Sequence, residues 1–357
     1  MRSKRGALFL VSIAATGLVL ILVEGLASWT YSLEKAWAAS QPERPERAHS
    51  QYDSELGWVN QPGVHVSDLY GPGKDFTTNA RGFRAQGEYA ETAPPGFRRV
   101  VFLGDSFTMG YGVGDDETFP SVVARLEPSI QAINMGMGAY GVGQDYLWYQ
   151  RDGRVLHGDL LVFALISHDF VRMTLSYYMA PKPILAATEG KLRVHGVPVP
   201  RTDGWERAAK FARQLGWRLD VMKALRLLLP PLTAGVAARP DSRPKKFEPV
   251  ARAIFATLAE QARARGTGLL LVHLPSRSEL LGDEPDLGPW MQQLGHTLGI
   301  PCVALRPFFE ARWKSGAGER LYLPNRHYSA EGNRLVAEAL LPAIQAALAR
   351  LPRRRMP

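Results

Sequence analysis

A serine and a histidine can together split an ester without a cofactor, and this chain offers one of each where a fold could join them. Gly104-Asp105-Ser106-Phe107 directly follows the apolar run Val100-Val101-Phe102-Leu103. A hydroxyl is thus delivered at the carboxyl end of a buried strand, where open α/β sheets build their sites. The glycines beyond it, Gly110, Gly112 and Gly114, predict a tight turn beside a helix, whose backbone N–H groups can stabilise an oxyanion. Far downstream, Asn325-Arg326-His327-Tyr328-Ser329-Ala330-Glu331-Gly332 sets His327 just ahead of the last expected helix. The pair points to acyl transfer, with Ser106 as nucleophile and His327 as general base. Each has an ordinary alternative, since Gly-Asp-Ser is a common turn and a histidine before a helix can simply satisfy backbone carbonyls. The strand position of Ser106 and the presence of both residues favour chemistry.

Other chemistries fit less well. The nucleophile elbow G-x-S-x-G is absent, which argues against the α/β-hydrolase fold. Gly136-Met137-Gly138-Ala139-Tyr140-Gly141 matches G-x-G-x-x-G literally. It follows the second expected strand rather than the first, and no acidic residue closes a following strand at the required distance, so no dinucleotide is expected. His49, His65, His157, His195, His273 and His296 are scattered singly without metal-ligand spacing, and neither metal nor other cofactor is expected. The one cysteine, Cys302, lies in an apolar run and reads as a small core residue that cannot form an internal disulfide. The net charge of +9 suits anionic surfaces such as lipid headgroups or acidic envelope polymers. No zinc-finger, helix-turn-helix or aromatic-basic motif accompanies it, so nucleic acid is not an expected partner.

Positioning the pair calls for a sheet, and the pattern supplies one. From Phe97 onward apolar runs alternate with helical patterns, the signature of a parallel sheet with crossover helices. Strands are expected at 100–103, 132–135, 160–166, 268–274 and 302–305, and helices at 118–125, 142–150, 249–265, 289–298 and 330–351, the last capped by Ser329. Residues 171–246 interrupt the alternation and read as an insertion, with an amphipathic helix at 205–229, a loop at 232–246 and a lid as its functional reading. Upstream, the basic stub 1–6 precedes an apolar stretch, 7–29, which reads as an uncleaved transmembrane anchor in preference to a signal peptide, because the nearest small-residue cleavage pattern lies too far downstream. Its basic flank leaves the amino end in the cytoplasm. A charged, proline-bearing spacer covers 30–51, a turn-rich segment 52–96 lies against the main domain of 97–351, and 352–357 is a basic tail.

These blocks resemble the SGNH, or GDSL, hydrolase superfamily over roughly residues 52–350. Gly104-Asp105-Ser106-Phe107-Thr108 resembles its nucleophile block, Asn134-Met135-Gly136-Met137-Gly138-Ala139-Tyr140-Gly141 its second, Ile166-Ser167-His168-Asp169 its third and Asn325-Arg326-His327 its last. Leu56-Gly57-Trp58 and Thr78-Asn79-Ala80-Arg81-Gly82-Phe83-Arg84 are similar to a leading segment of a membrane-anchored bacterial envelope branch. The resemblance implies a flavodoxin-like three-layer α/β/α sandwich and an oxyanion hole formed by Ser106, Ala139 and His168. Three positions depart from the pattern. Ala139 stands for a glycine, although its backbone N–H can still donate. His168 stands for an asparagine and can donate through a ring nitrogen. Asn325 stands for the triad aspartate, so it can orient the imidazole but brings no charge to an imidazolium.

The expectation is a serine esterase, or an O-acyl hydrolase or transferase, acting through a Ser-His dyad or triad on an ester-bearing envelope substrate such as an O-acylated glycan. The expected location is a single pass in the cytoplasmic membrane, with the main domain in the periplasm or outside the cell. The alternative, motivated by His168 and Asn325, is a catalytically impaired binding or scaffolding module of the same fold.

Overall fold

The protein, a computed structural model, is described over residues 2–40, 47–188, 191–201 and 244–352. It divides into two compact units, Met1–Pro42 with Thr202–Pro240, and Glu43–Arg201 with Asp241–Pro357. In the first, helix α1 (Arg2–Ser40) carries Val11–Thr30, 20 residues with a mean hydropathy of 2.0. That segment is long and apolar enough to cross a membrane, and a signal sequence near an N-terminus meets the same criterion. The expected helix at 205–229, the loop from 232 to 243, residues 41–46 of the expected spacer and the basic residues 353–357 lie outside the described residues, whereas 30–40 of that spacer, which holds neither proline nor glycine, continues α1 as helix.

The second unit is built on five parallel strands, β1 (Arg98–Gly104), β2 (Ile130–Gly136), β3 (Leu160–Leu165), β4 (Gly268–His273) and β5 (Cys302–Ala304), in the spatial order β2-β1-β3-β4-β5. This is the doubly wound flavodoxin-like order, and the chain reverses direction across the sheet between β1 and β3. Around it run α2 (Ser106–Met109), α3 (Phe119–Leu126), α4 (Val142–Trp148), α5 (Ser167–Arg172), α6 (Glu248–Arg265), α7 (Gly288–Leu298), α8 (Arg306–Lys314) and α9 (Ala330–Ala349).

Alternation along each strand generates the three layers, because successive side chains leave opposite faces. Val101, Leu103, Ile133, Met135, Leu161, Phe163, Leu165, Leu269 and Leu271 pack under α4, α6 and α7. Val100, Phe102, Leu160, Val162, Ala164, Leu270 and Val272 pack under α3, α8 and α9. Both faces of β1, β3 and β4 are covered, which is why these strands read as apolar runs. The capping agrees with the boundaries: Thr118 accepts from the Ser121 N–H, and Ser329 from the Gly332 N–H.

The segment before β1 forms two small antiparallel hairpins, Ser50–Asp53 with Gly57–Asn60 and His65–Val66 with Phe76–Thr77. It buries Trp58 and Phe83 in the core shared with α4 and α6. Within 171–246, Val171 and Arg172 complete α5. Two further hairpins follow, Tyr177–Tyr178 with Ala180–Pro181 and Ile184–Thr188 with Lys191–His195, and Ala180 and Leu185 join the same core.

Gly104 ends β1 with φ +150°, and a Cβ there would sit 2.2 Å from the Ala164 carbonyl oxygen and 2.4 Å from Thr108 Oγ1. Only hydrogen fits between β1, β3 and α2. Gly104→Ala is therefore expected to cost about 3 kcal/mol or more in urea unfolding. A variant with the parental midpoint would mean that this close approach does not exist.

Candidate active site

α2 is only four residues long, and its start is fixed by side-chain capping: Asp105 Oδ1 accepts from the Phe107 N–H at 2.9 Å. Ser106, the first helical residue, is 7% exposed. Its Oγ lies 2.8 Å from His327 Nε2. The histidine is carried by a tight turn in which Leu323 N–H donates to the His327 carbonyl and Arg326 N–H to the Leu323 carbonyl, both at 2.8 Å, with Arg326 at φ +71°. Gly112 brings the loop after α2 against this turn, since a Cβ there would lie 2.5 Å from Leu323 Cδ1.

Asn325 holds the other side of the ring. Its Oδ1 accepts from the His327 backbone N–H at 3.1 Å and lies 3.2 Å from Nδ1. A backbone N–H can only donate, so the amide atom it meets is the oxygen, and the same oxygen requires a proton on Nδ1. Nε2 is then left with its lone pair toward the Ser106 hydroxyl. That is the tautomer a general base needs.

Ala139 and His168 stand just beyond β2 and β3, the two strands that flank β1. Ala139 takes φ +66°, a left-handed conformation that an L-residue adopts at a cost. Among the described residues, the backbone N–H groups of Ser106 and Ala139 and the ring nitrogens of His168 have no hydrogen-bond acceptor or donor within the protein. His168 opens α5 beside Tyr178, with ring centres 6.3 Å apart. Burial pulls its pKa down to about 4, and the nearby Arg172 guanidinium adds to the effect. The ring is therefore neutral at ordinary pH and carries one N–H.

Three anchors whose contacts the sequence did not assign brace the site: Arg172, which it did not name, and Arg84 and Trp58, which stand in the leading blocks of the resemblance. Arg172 Nη1 donates to Asp105 Oδ2 at 2.7 Å, to Asp169 Oδ1 at 2.9 Å and to the Tyr140 carbonyl at 2.9 Å, tying together the segments that carry Ser106, Ala139 and His168. Burial, with Asp105 close by, pushes the Asp169 carboxyl up, and the shared guanidinium pulls against it. The spacing Asp169 to Arg172, three positions on one helical face, was the available signal. Arg84, buried before β1, donates to the carbonyls of Met109, Gly110 and Val113 at 2.8, 2.6 and 2.7 Å and to Asp115 Oδ1 at 2.9 Å, clamping the exit of α2. Trp58 Nε1 donates to the Gly138 carbonyl at 3.0 Å, next to Ala139. The resemblance marked the blocks holding these last two, but residue type could not show their contacts, because both act on distant backbone.

No protein-family model matches the chain, and no curated protein sequence matches it. Solved structures similar to it include an acetyl xylan esterase (14% identity, TM-score 0.41, covering 69% of this chain and 99% of that one) and an acetylxylan esterase from Geobacillus stearothermophilus (13%, 0.41, 69% and 94%). A lipase/acylhydrolase from Enterococcus faecalis is another (13%, 0.39, 73% and 100%). Likeness at this level says nothing of activity. The chain's own strand order, with the four sequence blocks at the carboxyl ends of its strands and in the turn before α9, is the arrangement implied by the resemblance to the SGNH hydrolases.

Two measurements follow from this geometry. The folded His168 pKa is lowered from an ordinary 6.5 to about 4, so the unfolded chain binds the extra proton first as pH falls. His168 then costs stability progressively between about pH 6.5 and 4, by up to roughly 3 kcal/mol. Urea unfolding of the parent should lose stability across that window relative to His168→Asn, and parallel curves would exclude the burial described. Ala139→Gly, which relieves the left-handed strain, is expected to stabilise by up to about 1 kcal/mol. A lower urea midpoint for that variant would contradict it.

Proposed function

We propose that the protein is a serine ester hydrolase of the SGNH type. The observation that carries this reading is the 2.8 Å contact between Ser106 Oγ and His327 Nε2, with Nδ1 held by Asn325 Oδ1 at 3.2 Å. Ser106 Oγ attacks the ester carbonyl while its proton passes to His327 Nε2. The tetrahedral oxyanion is met by the N–H groups of Ser106 and Ala139 and by the neutral His168 ring. His327 then returns the proton to the leaving alcohol, and water or a sugar hydroxyl takes the acyl group from Ser106. Proton transfer by a positioned base contributes about 10²–10⁴-fold, and each oxyanion donor about 10²–10³-fold.

The substrate in this reading is an O-acylated, ester-bearing glycan of the cell envelope, and the acceptor decides between hydrolysis and acyl transfer. The apolar helix serves as a single-pass anchor in the cytoplasmic membrane. Met1, Arg2, Lys4 and Arg5 stay on the cytoplasmic side, and the α/β unit faces the periplasm or the exterior. A second reading, a binding or scaffolding module with impaired catalysis, is favoured by the neutral amide of Asn325 at the position of the triad acid.

Turnover of p-nitrophenyl acetate separates the two. Ser106→Ala should lose at least about 10³-fold in kcat with its fold intact, and a variant as active as the parent would end the hydrolase reading. Asn325→Asp should raise kcat/KM by roughly 10- to 10³-fold, because a carboxylate at Nδ1 stabilises the imidazolium that an amide only orients. No gain in that variant would mean that Asn325 does not act on the ring.

A further inference from the structure

If His327 takes up the Ser106 proton, the imidazolium faces a neutral amide at Nδ1, and two aromatic rings lie where they can answer its charge. The His327 ring centre is 4.7 Å from that of Tyr111 and 5.0 Å from that of Phe107, with planes inclined by 38° and 37°. Both distances fall within the roughly 6 Å reach of a cation–π contact. Inclinations this shallow present more of each electron-rich face than of its positive edge. The rings are braced in turn. Tyr111 packs on Tyr70 at 5.0 Å, Tyr70 meets Phe76 edge-on, and Phe107 meets Tyr328 edge-on at 4.8 Å. Phe107 lies in α2 and Tyr111 just past its end, so one short segment supplies the nucleophile and both rings.

We infer, resting on the hydrolase reading above, that Tyr111 and Phe107 are positioning residues that stabilise the protonated form of His327 through their π-faces. Among the described residues, Asn325 in its own turn and Ser106 on α2 touch the ring, and Asp105 stands behind Ser106. The Asp105 Oδ2 lies 3.4 Å from Ser106 Oγ and is bound by Arg172. The geometry makes the sign of the effect diagnostic. A ring that stabilises charge raises the pKa of the imidazole, whereas a ring that merely excludes water lowers it.

Tyr111 is the residue to change, because it is only partly buried whereas Phe107 is core. The full chain in detergent micelles, labelled with ¹³C-histidine and assigned with His327→Gln, reports the His327 titration directly. Tyr111→Leu should lower that pKa by about half to one unit, and kcat/KM for p-nitrophenyl acetate by about three- to tenfold. Tyr111→Phe, which keeps the face, should match the parent in both. Adding Asn325→Asp to Tyr111→Leu should restore the pKa, since a carboxylate then supplies the charge. An unchanged or raised pKa in Tyr111→Leu overturns the inference, the rise meaning that the ring served only to exclude water. The titration needs no turnover. If Ser106→Ala is as active as the parent, the hydrolase reading falls, yet the ring contact is still decided by the pKa.

Discussion

The structure turns on one hydrogen bond between groups 221 positions apart, the 2.8 Å contact of Ser106 Oγ with His327 Nε2. Each partner is fixed from behind by backbone. Ser106 begins a helix whose first turn is capped by Asp105, and His327 sits in a turn whose amide oxygen partner is identified by a backbone N–H that can only donate. Because orientation and tautomer are both set before any substrate arrives, the site is organised in advance. This is the condition under which a positioned base contributes most to a rate.

Charge is handled in an unusual way around this pair. The carboxylate nearest the nucleophile, Asp105, is spent on capping and on Arg172, and that guanidinium is shared with Asp169 and the Tyr140 carbonyl. Buried ions of this kind add little net stability, but removing one partner is costly, so they lock relative positions. Here the positions locked are those of the three segments that follow β1, β2 and β3. At the histidine itself Asn325 orients the ring through a neutral oxygen, and aromatic rings line it. The arrangement favours geometry over electrostatic strength.

β1, β3 and β4 were legible because burial on both faces writes an apolar run, and α9 because Ser329 stands as a cap where the pattern begins. Ser106, His327 and Asn325 were legible as a set, and the structure brings them into contact. The short helices α2 and α5 were not, since four and six residues carry too little period to read. Arg84 and Trp58 stand in blocks the resemblance marked, but their roles were not legible, for a different reason. Their partners are carbonyls of Met109, Gly110, Val113 and Gly138, and backbone atoms leave no trace in residue type. The left-handed Ala139 likewise shows only in φ.

The central claim, an activated serine, is tested most directly by reacting the folded full chain with a fluorophosphonate and mapping the adduct by mass spectrometry. The account predicts a single phosphonylated residue, Ser106, and no label once His327 is replaced by Gln. A folded chain that stays unlabelled, or one labelled equally well without His327, would contradict it.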